Sequence, residues 1–146
     1  MEKKNLFVHL PQHNLAPEQL KAVHSLEARL TLPEEVFSKG ILKRLRQVRF
    51  DEDLEGLVRD FVVELLTFIS LEKDIEKVFL HLPIGSPAFM FLLSQRLLSI
   101  TSKAEIIPIF SHTDRIVEEK DGKKVSFFKF KGFIAFPEGK PQSIIK

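Results

Sequence analysis

The chain predicts an α/β fold: a mostly parallel, doubly wound (Rossmann-like) sheet with helices on both faces and a C-terminal β-hairpin. Three observations predict it. Short apolar runs alternate with helical periodicity in the order β-α-β-α-α-β-α-β, which calls for parallel strands joined by crossovers. An Asp-Gly pair between two extended runs marks a hairpin near the C-terminus. Finally, 146 residues with 44% hydrophobic content fit one domain with a proper core, here residues 1–146.

The elements follow in order. Residues 6–10 (Leu6-Phe7-Val8-His9-Leu10) read as a short buried strand, stopped by Pro11, which has no N–H for a ladder. Pro17 suits a first helical turn, with Glu18 near the positive end and Leu20, Val23 and either Leu26 or Glu27 along one face. Residues 29–32 form a weak second strand closed by Pro33. Residues 34–48 read as one helix with Val36, Ile41, Leu42 and Leu45 as apolar positions. The clearest helix covers residues 53–69, where Leu54, Leu57, Val58, Phe61, Val62, Leu65, Leu66 and Ile69 keep i, i+3, i+4, i+7 spacing. Residues 75–82 are β-branched and aromatic, as a strand requires, and Gly85-Ser86-Pro87 then opens an apolar helix. Residues 105–110 are the next strand, in which Pro108 points to an edge or a bulge. Asp121-Gly122 joins two strands through a type I′ turn, Gly132 marks a bulge, and the chain from Pro137 reads as frayed.

Composition excludes several classes of function. A formal net charge of +2 is too small for a protein that coats long nucleic acid, although a small anionic ligand remains compatible. Cysteine is absent, which removes disulfides, thiolate nucleophiles and Cys-ligated zinc and favours a cytoplasmic setting. Tyrosine and tryptophan are absent too, so ring stacking falls to His and the 14 Phe. No apolar run is long enough for a membrane span, the N-terminus lacks the pattern of a signal peptide, and no spacing suggests a metal or a dinucleotide cofactor.

In open α/β sheets, ligands bind beyond the carboxyl ends of the strands, at the switch point. Three polar segments are expected there. In Gln12-His13-Asn14, His13 is the acid/base candidate, because histidine is the side-chain type that titrates near neutrality. The competing reading is a surface loop with Asn14 as a helix cap. In Gly85-Ser86-Pro87, backbone N–H groups at a helix start offer an anion site, against a plain helix start capped by Ser86. In Ser111-His112-Thr113-Asp114-Arg115, read as a turn, Arg115 can grip a phosphate with two hydrogen bonds, against a polar turn with Arg115 paired to Asp114 or a nearby Glu. His9 and His81 read as core or cross-strand histidines, His81 with some prospect of facing the crevice. The basic cluster around Lys43 and Arg44 reads as a solvated face, and the C-terminal Phe run as core or as a contact between copies.

Residues 106–115, then Val117-Glu118-Glu119, the Asp-Gly hairpin and Phe127-Phe128-Lys129-Phe130 resemble the small CARF-like CRISPR-associated proteins of type III systems. At the front, His13-Asn14-Leu15-Ala16-Pro17-Glu18-Gln19 is similar to that family's His-x-Leu-Thr-x-Glu-Gln opening, with Ala16 in place of Thr, and Gly85 falls where the family carries a glycine-bearing loop. The resemblance spans about two thirds of the chain. It implies a CARF-type fold, a homodimer and a cyclic oligoadenylate second messenger as ligand, with cyclic tetra-adenylate the expected ring. It also implies a pocket lined by His13, Gly85, Ser111, Thr113 and Arg115.

The resulting expectation is a metal-independent ring nuclease that needs no cofactor. The ligand's own ribose 2′-OH attacks the adjacent phosphodiester, His13 moves a proton, Arg115 and N–H groups near Ser86 hold the developing charge, and Gln12, Asn14, Ser111, His112 and Thr113 help to bind. Two alternatives stand beside it: a non-catalytic binder of the same messenger, and a structural partner that uses the Phe-rich hairpin.

Overall fold

The computed structural model describes residues 4–84, 86–136 and 140–144, so the expected site residue Gly85 lies outside the described residues. Six strands form one sheet in the order β2-β1-β3-β4-β5-β6. They are β1 (Asn5–His9), β2 (Ala28–Thr31), β3 (Lys77–His81), β4 (Glu105–Lys120), β5 (Lys123–Ala135) and β6 (Lys140–Ile144). The pairings β1–β2, β1–β3 and β3–β4 are parallel, whereas β4–β5 and β5–β6 are antiparallel. The chain leaves β1 toward β2 and leaves β3 toward β4, in opposite directions across the sheet. The boundary between β1 and β3 is therefore the switch point.

The two-residue period of the strands sorts side chains into two layers. Leu6, Val8, Val78 and Leu80 pack into the larger core with α2 (Pro33–Val36), α3 (Lys39–Arg46), α4 (Leu54–Leu71) and α5 (Pro87–Leu98). Phe7 and Phe79 face the other way and pack with Ala22 and Val23 of α1 (Pro17–Ser25) and with Phe130 and Phe133 of β5. His9 and His81 share the parity of Phe7 and Phe79 and so belong to this second layer. In α4 Leu57, Val58, Phe61, Val62, Leu65 and Ile69 are buried as the spacing predicts, Leu54 and Leu66 are partly buried, and Asp53 caps the helix by accepting from the Gly56 N–H at 3.0 Å. Phe61 of α4 stacks on Phe37 at 4.3 Å and meets Phe89 of α5 edge-on at 5.9 Å.

Four expectations are corrected. Residues 34–48 are two helices rather than one, because Phe37 is extended, with φ −118° and ψ 148°. Tertiary anchors override local propensity there: the Phe37 ring is drawn into the core, and Ser38 donates its N–H to Glu64 Oε1 at 2.6 Å while capping Ile41 N at 3.3 Å. Pro108 is not on an edge, since β4 lies between β3 and β5. Its carbonyl accepts from Phe136 N at 2.8 Å on the β5 side, so its missing N–H falls at the last rung of that ladder. The β3 ladder is left intact: Leu82 N donates to Ile109 O at 3.1 Å. Residues 111–115 are not a turn but the middle of β4, which runs unbroken for 16 residues. Finally, the chain after Pro137 is not simply frayed, because Lys140–Ile144 pairs with β5 as β6.

Beyond Ile109, β4 pairs only with β5, and the two strands leave the body as an exposed ribbon. Its turn has φ 52° at Asp121 and φ 76° at Gly122, the two positive angles of type I′. The register shifts between His112 and Thr113, opposite Gly132, where the sequence placed a bulge. Among the described residues, no helix is long and apolar enough to cross a membrane.

Candidate functional site

The carboxyl ends of β1 and β3 finish on the same residue type. His9 and His81 are the last residues of their strands and are direct partners in the parallel register, at the switch point. Their rings stack at 5.1 Å, with His9 Nδ1 and His81 Nδ1 2.9 Å apart. His81 is fully buried between Phe7, at 5.5 Å, and Phe133, at 5.4 Å.

One fixed acceptor sets the proton positions along this chain. His9 Nε2 lies 2.6 Å from the His13 carbonyl, which can only accept, so Nε2 donates. In a neutral ring His9 Nδ1 then accepts, which makes His81 Nδ1 the donor and His81 Nε2 an acceptor. The Ser111 hydroxyl, 2.7 Å from His81 Nε2, donates to it and accepts in turn from Gln19 Nε2 at 3.1 Å. The chain therefore runs in one direction, from Gln19 through Ser111, His81 and His9 to the His13 carbonyl, with every polar atom in it paired.

Burial keeps both rings neutral. It pushes the His81 pKa from 6.5 down to about 3, and the neighbouring His9 and His13 add to the effect. Burial also lowers the His9 pKa, against the opposing hydrogen bond to the His13 carbonyl. His13 itself is exposed. Its Nδ1–H faces the Asn14 carbonyl at 3.2 Å, which leaves Nε2 as the lone-pair nitrogen of the neutral ring.

The structure brings some of the expected site residues together and separates others. The segment Gln12-His13-Asn14 and Ser111 meet through the histidine chain. Gln12, His13 and Asn14 also line an open cleft of about 360 Å³ with His9, Leu30 and Arg46, on the β2 side of β1. Asn14 is not the helix cap: α1 starts at Pro17, and Gln19 Oε1 accepts from Ala16 N at 2.8 Å. Ser86 does cap its helix, accepting from Phe89 N at 3.2 Å, while neighbouring Ile84 packs into the larger core. The Ser86 hydroxyl is thus committed to α5.

Thr113 and Arg115 share the strand face of Ser111, but four residues of extended chain set Arg115 about 13 Å from Ser111. Arg115 pairs across the ribbon with Phe128. His112 lies on the opposite face and pairs with Asp114 at 3.0 Å. The single turn gathering residues 111–115 is thereby replaced by an extended strand leading away from the rim.

Sequence reasoning passed over His9, His81 and Gln19 as site residues. A signal for the first two was present: His9-Leu10-Pro11 and His81-Leu82-Pro83 repeat one tripeptide at the ends of two strands. Gln19 lies in the segment that carries the family resemblance. A scan against protein-family models, a search of curated proteins and a search of solved structures each returned no match.

Proposed function

We propose that this protein binds a cyclic oligoadenylate, cyclic tetra-adenylate in the first instance, at the rim of β1, β3 and β4 and opens it without a metal, as part of type III CRISPR antiviral defence. The observation that carries the reading is the setting of His13. Its carbonyl is held by His9 and its Nδ1 by the Asn14 carbonyl, so Nε2 is the ring nitrogen left to face an exposed rim of a switch-point crevice.

The ribose 2′-oxygen attacks the adjacent phosphorus while His13 Nε2 takes its proton. The P–O5′ bond breaks, and the 5′-oxygen collects a proton from the imidazolium or from water. The products are a 2′,3′-cyclic phosphate and a 5′-hydroxyl. Arg115 and Thr113, on the face of β4 that begins at Ser111, give a ring of several nucleotides a contact about 13 Å from the first. Gln12 and Asn14 bring amides to the cleft beside His13. The relay through His81 and Ser111 positions the rim and does not act as base, because a ring held near 3 is a weak one.

The protein's partner is a second copy of itself, docked along β4. No described strand pairs with the edge of β4 beyond Ile109, and such edges recruit strands. An antiparallel alignment that sets Val117 against Val117 of the copy places Arg115 opposite Glu119 and Asp114 opposite Lys120, each pair twice. The same alignment of β5 is disfavoured by Lys123, Lys124, Lys129 and Lys131.

The test is incubation with cyclic tetra-adenylate in the presence of a chelator, with separation of products. Linear oligoadenylate ending in 2′,3′-cyclic phosphate is expected, and His13→Ala should slow its formation by about 100-fold or more. A ring with 2′-H in place of 2′-OH should bind and stay intact. A ring that binds but survives excess protein would make the protein a non-catalytic binder, and absence of binding would end the reading.

A further inference from the structure

Beside the cleft at His13 lies a second, of about 480 Å³, lined by Gln12, Glu34, Lys39, Leu42, Lys43, Arg46 and Gln47. The two share Gln12, Glu34 and Arg46 as a common wall. Lys39, Lys43 and Arg46 stand at i, i+4 and i+7 on α3, so they form one row down a single helix face. Buried Leu42 floors the cleft beside that row.

The row is short of negative charge. Glu34 answers Arg46 at 3.5 Å, while neither Lys39 nor Lys43 has a carboxylate partner among the described residues. Arg46 Nε is buried without a hydrogen-bond partner among the described residues. The other basic side chain of this helix turns away: Arg44 is satisfied by Glu52 at 2.7 Å and Asp60 at 3.1 Å, which raise its pKa. The cluster that read as a solvated face is thus divided. One arginine is neutralised, and three cations border a hollow.

We propose that this second cleft is a phosphate track for a short single-stranded oligonucleotide, continuing from His13 past Gln12 onto α3. Cations one helical turn apart, about 5–6 Å between Cβ atoms, suit successive phosphates of one strand. Gln12 and Gln47 supply amides between the charges. The function proposed above contributes only the chemical class of the ligand, and the track holds equally for a linear strand that the protein never cleaves.

The test is fluorescence anisotropy with a labelled linear hexa-adenylate RNA over a range of salt. Lys39→Gln/Lys43→Gln should weaken binding about tenfold or more and reduce the slope of log K against log salt by about 1.4, two single-strand cations' worth. Lys123→Gln/Lys124→Gln on the ribbon makes the same charge change elsewhere and should leave both readings as in the unmodified protein. All four lysines are exposed, and a matching thermal melt confirms that each variant is folded. If both double variants weaken binding equally, or if neither does, the track is refuted. Ring cleavage takes no part in the measurement, so an intact ring together with a selective Lys39/Lys43 effect rejects the proposed catalysis and keeps the track.

Discussion

The two faces of the sheet are built on different terms. Against α3, α4 and α5 the core is large and made of carbon: Leu57, Phe61, Leu65 and Phe89 are each 0% exposed. Ser94, buried on that side, returns its hydroxyl to Met90 O at 2.8 Å and takes no further part. Against α1 the core is thinner, and its rim holds two imidazoles, a hydroxyl and an amide in one hydrogen-bonded line. A polar line under a thin cover destabilises unless each atom in it is paired. One face supplies stability, while the other holds paired polar groups in fixed protonation states at the cost of pH sensitivity.

The strongest test of this contrast is Phe61→Ala. It leaves a cavity between Phe37 and Phe89 and should cost about 3–5 kcal/mol, read as a lower urea midpoint at unchanged slope. A cost below about 1 kcal/mol would mean that this face is not the close-packed one.

Next comes pH. The His81 pKa of about 3 in the fold lies below the ordinary 6.5, so over that window the unfolded chain binds more protons. Stability is therefore full above pH 6.5 and is lost as pH falls toward 3, at a rate approaching about 1.4 kcal/mol per pH unit. His9 shifts in the same direction and steepens the fall. Urea unfolding followed from neutral to acidic pH should show this slope, and His81→Phe should flatten it. Equal slopes in the two proteins would remove His81 from the account.

A smaller effect is expected where the ribbon leaves the body. Arg115→Glu or Glu119→Arg alone should weaken the proposed self-association about tenfold, roughly 1.4 kcal/mol, and the two together should restore it by exchanging the charges. Sedimentation at several concentrations reads this, and a double variant no better than the singles would exclude the β4–β4 alignment. The smallest effect belongs to Asp53→Ala at the start of α4, about 1 kcal/mol of lost cap, read as a slightly lower urea midpoint.

Much of the fold is legible in the sequence because it is written locally. The apolar spacing of α4, the Ser86 cap and the two positive-φ residues of the hairpin turn are each decided within a few neighbouring residues. The site is less legible because it is written across the sheet. His9 and His81 lie 72 residues apart in sequence and become a pair only through the parallel register of β1 and β3. Taken singly, each reads as a core histidine. The segment 111–115 misled for a related reason: polar residues after an apolar run end a strand unless another strand pairs with them, and here β5 does.

β4 has one further consequence. Its inner rungs are bolted to β3, its outer half is paired with β5 alone, and Ser111 sits just past the last bolt, immediately before the register shift between His112 and Thr113. Sixteen extended residues make a rod of roughly 50 Å. A copy clasping the far tip, as proposed above, would act on the same strand that carries Ser111 to His81, so the proposed assembly and the proposed chemistry would share a single mechanical part.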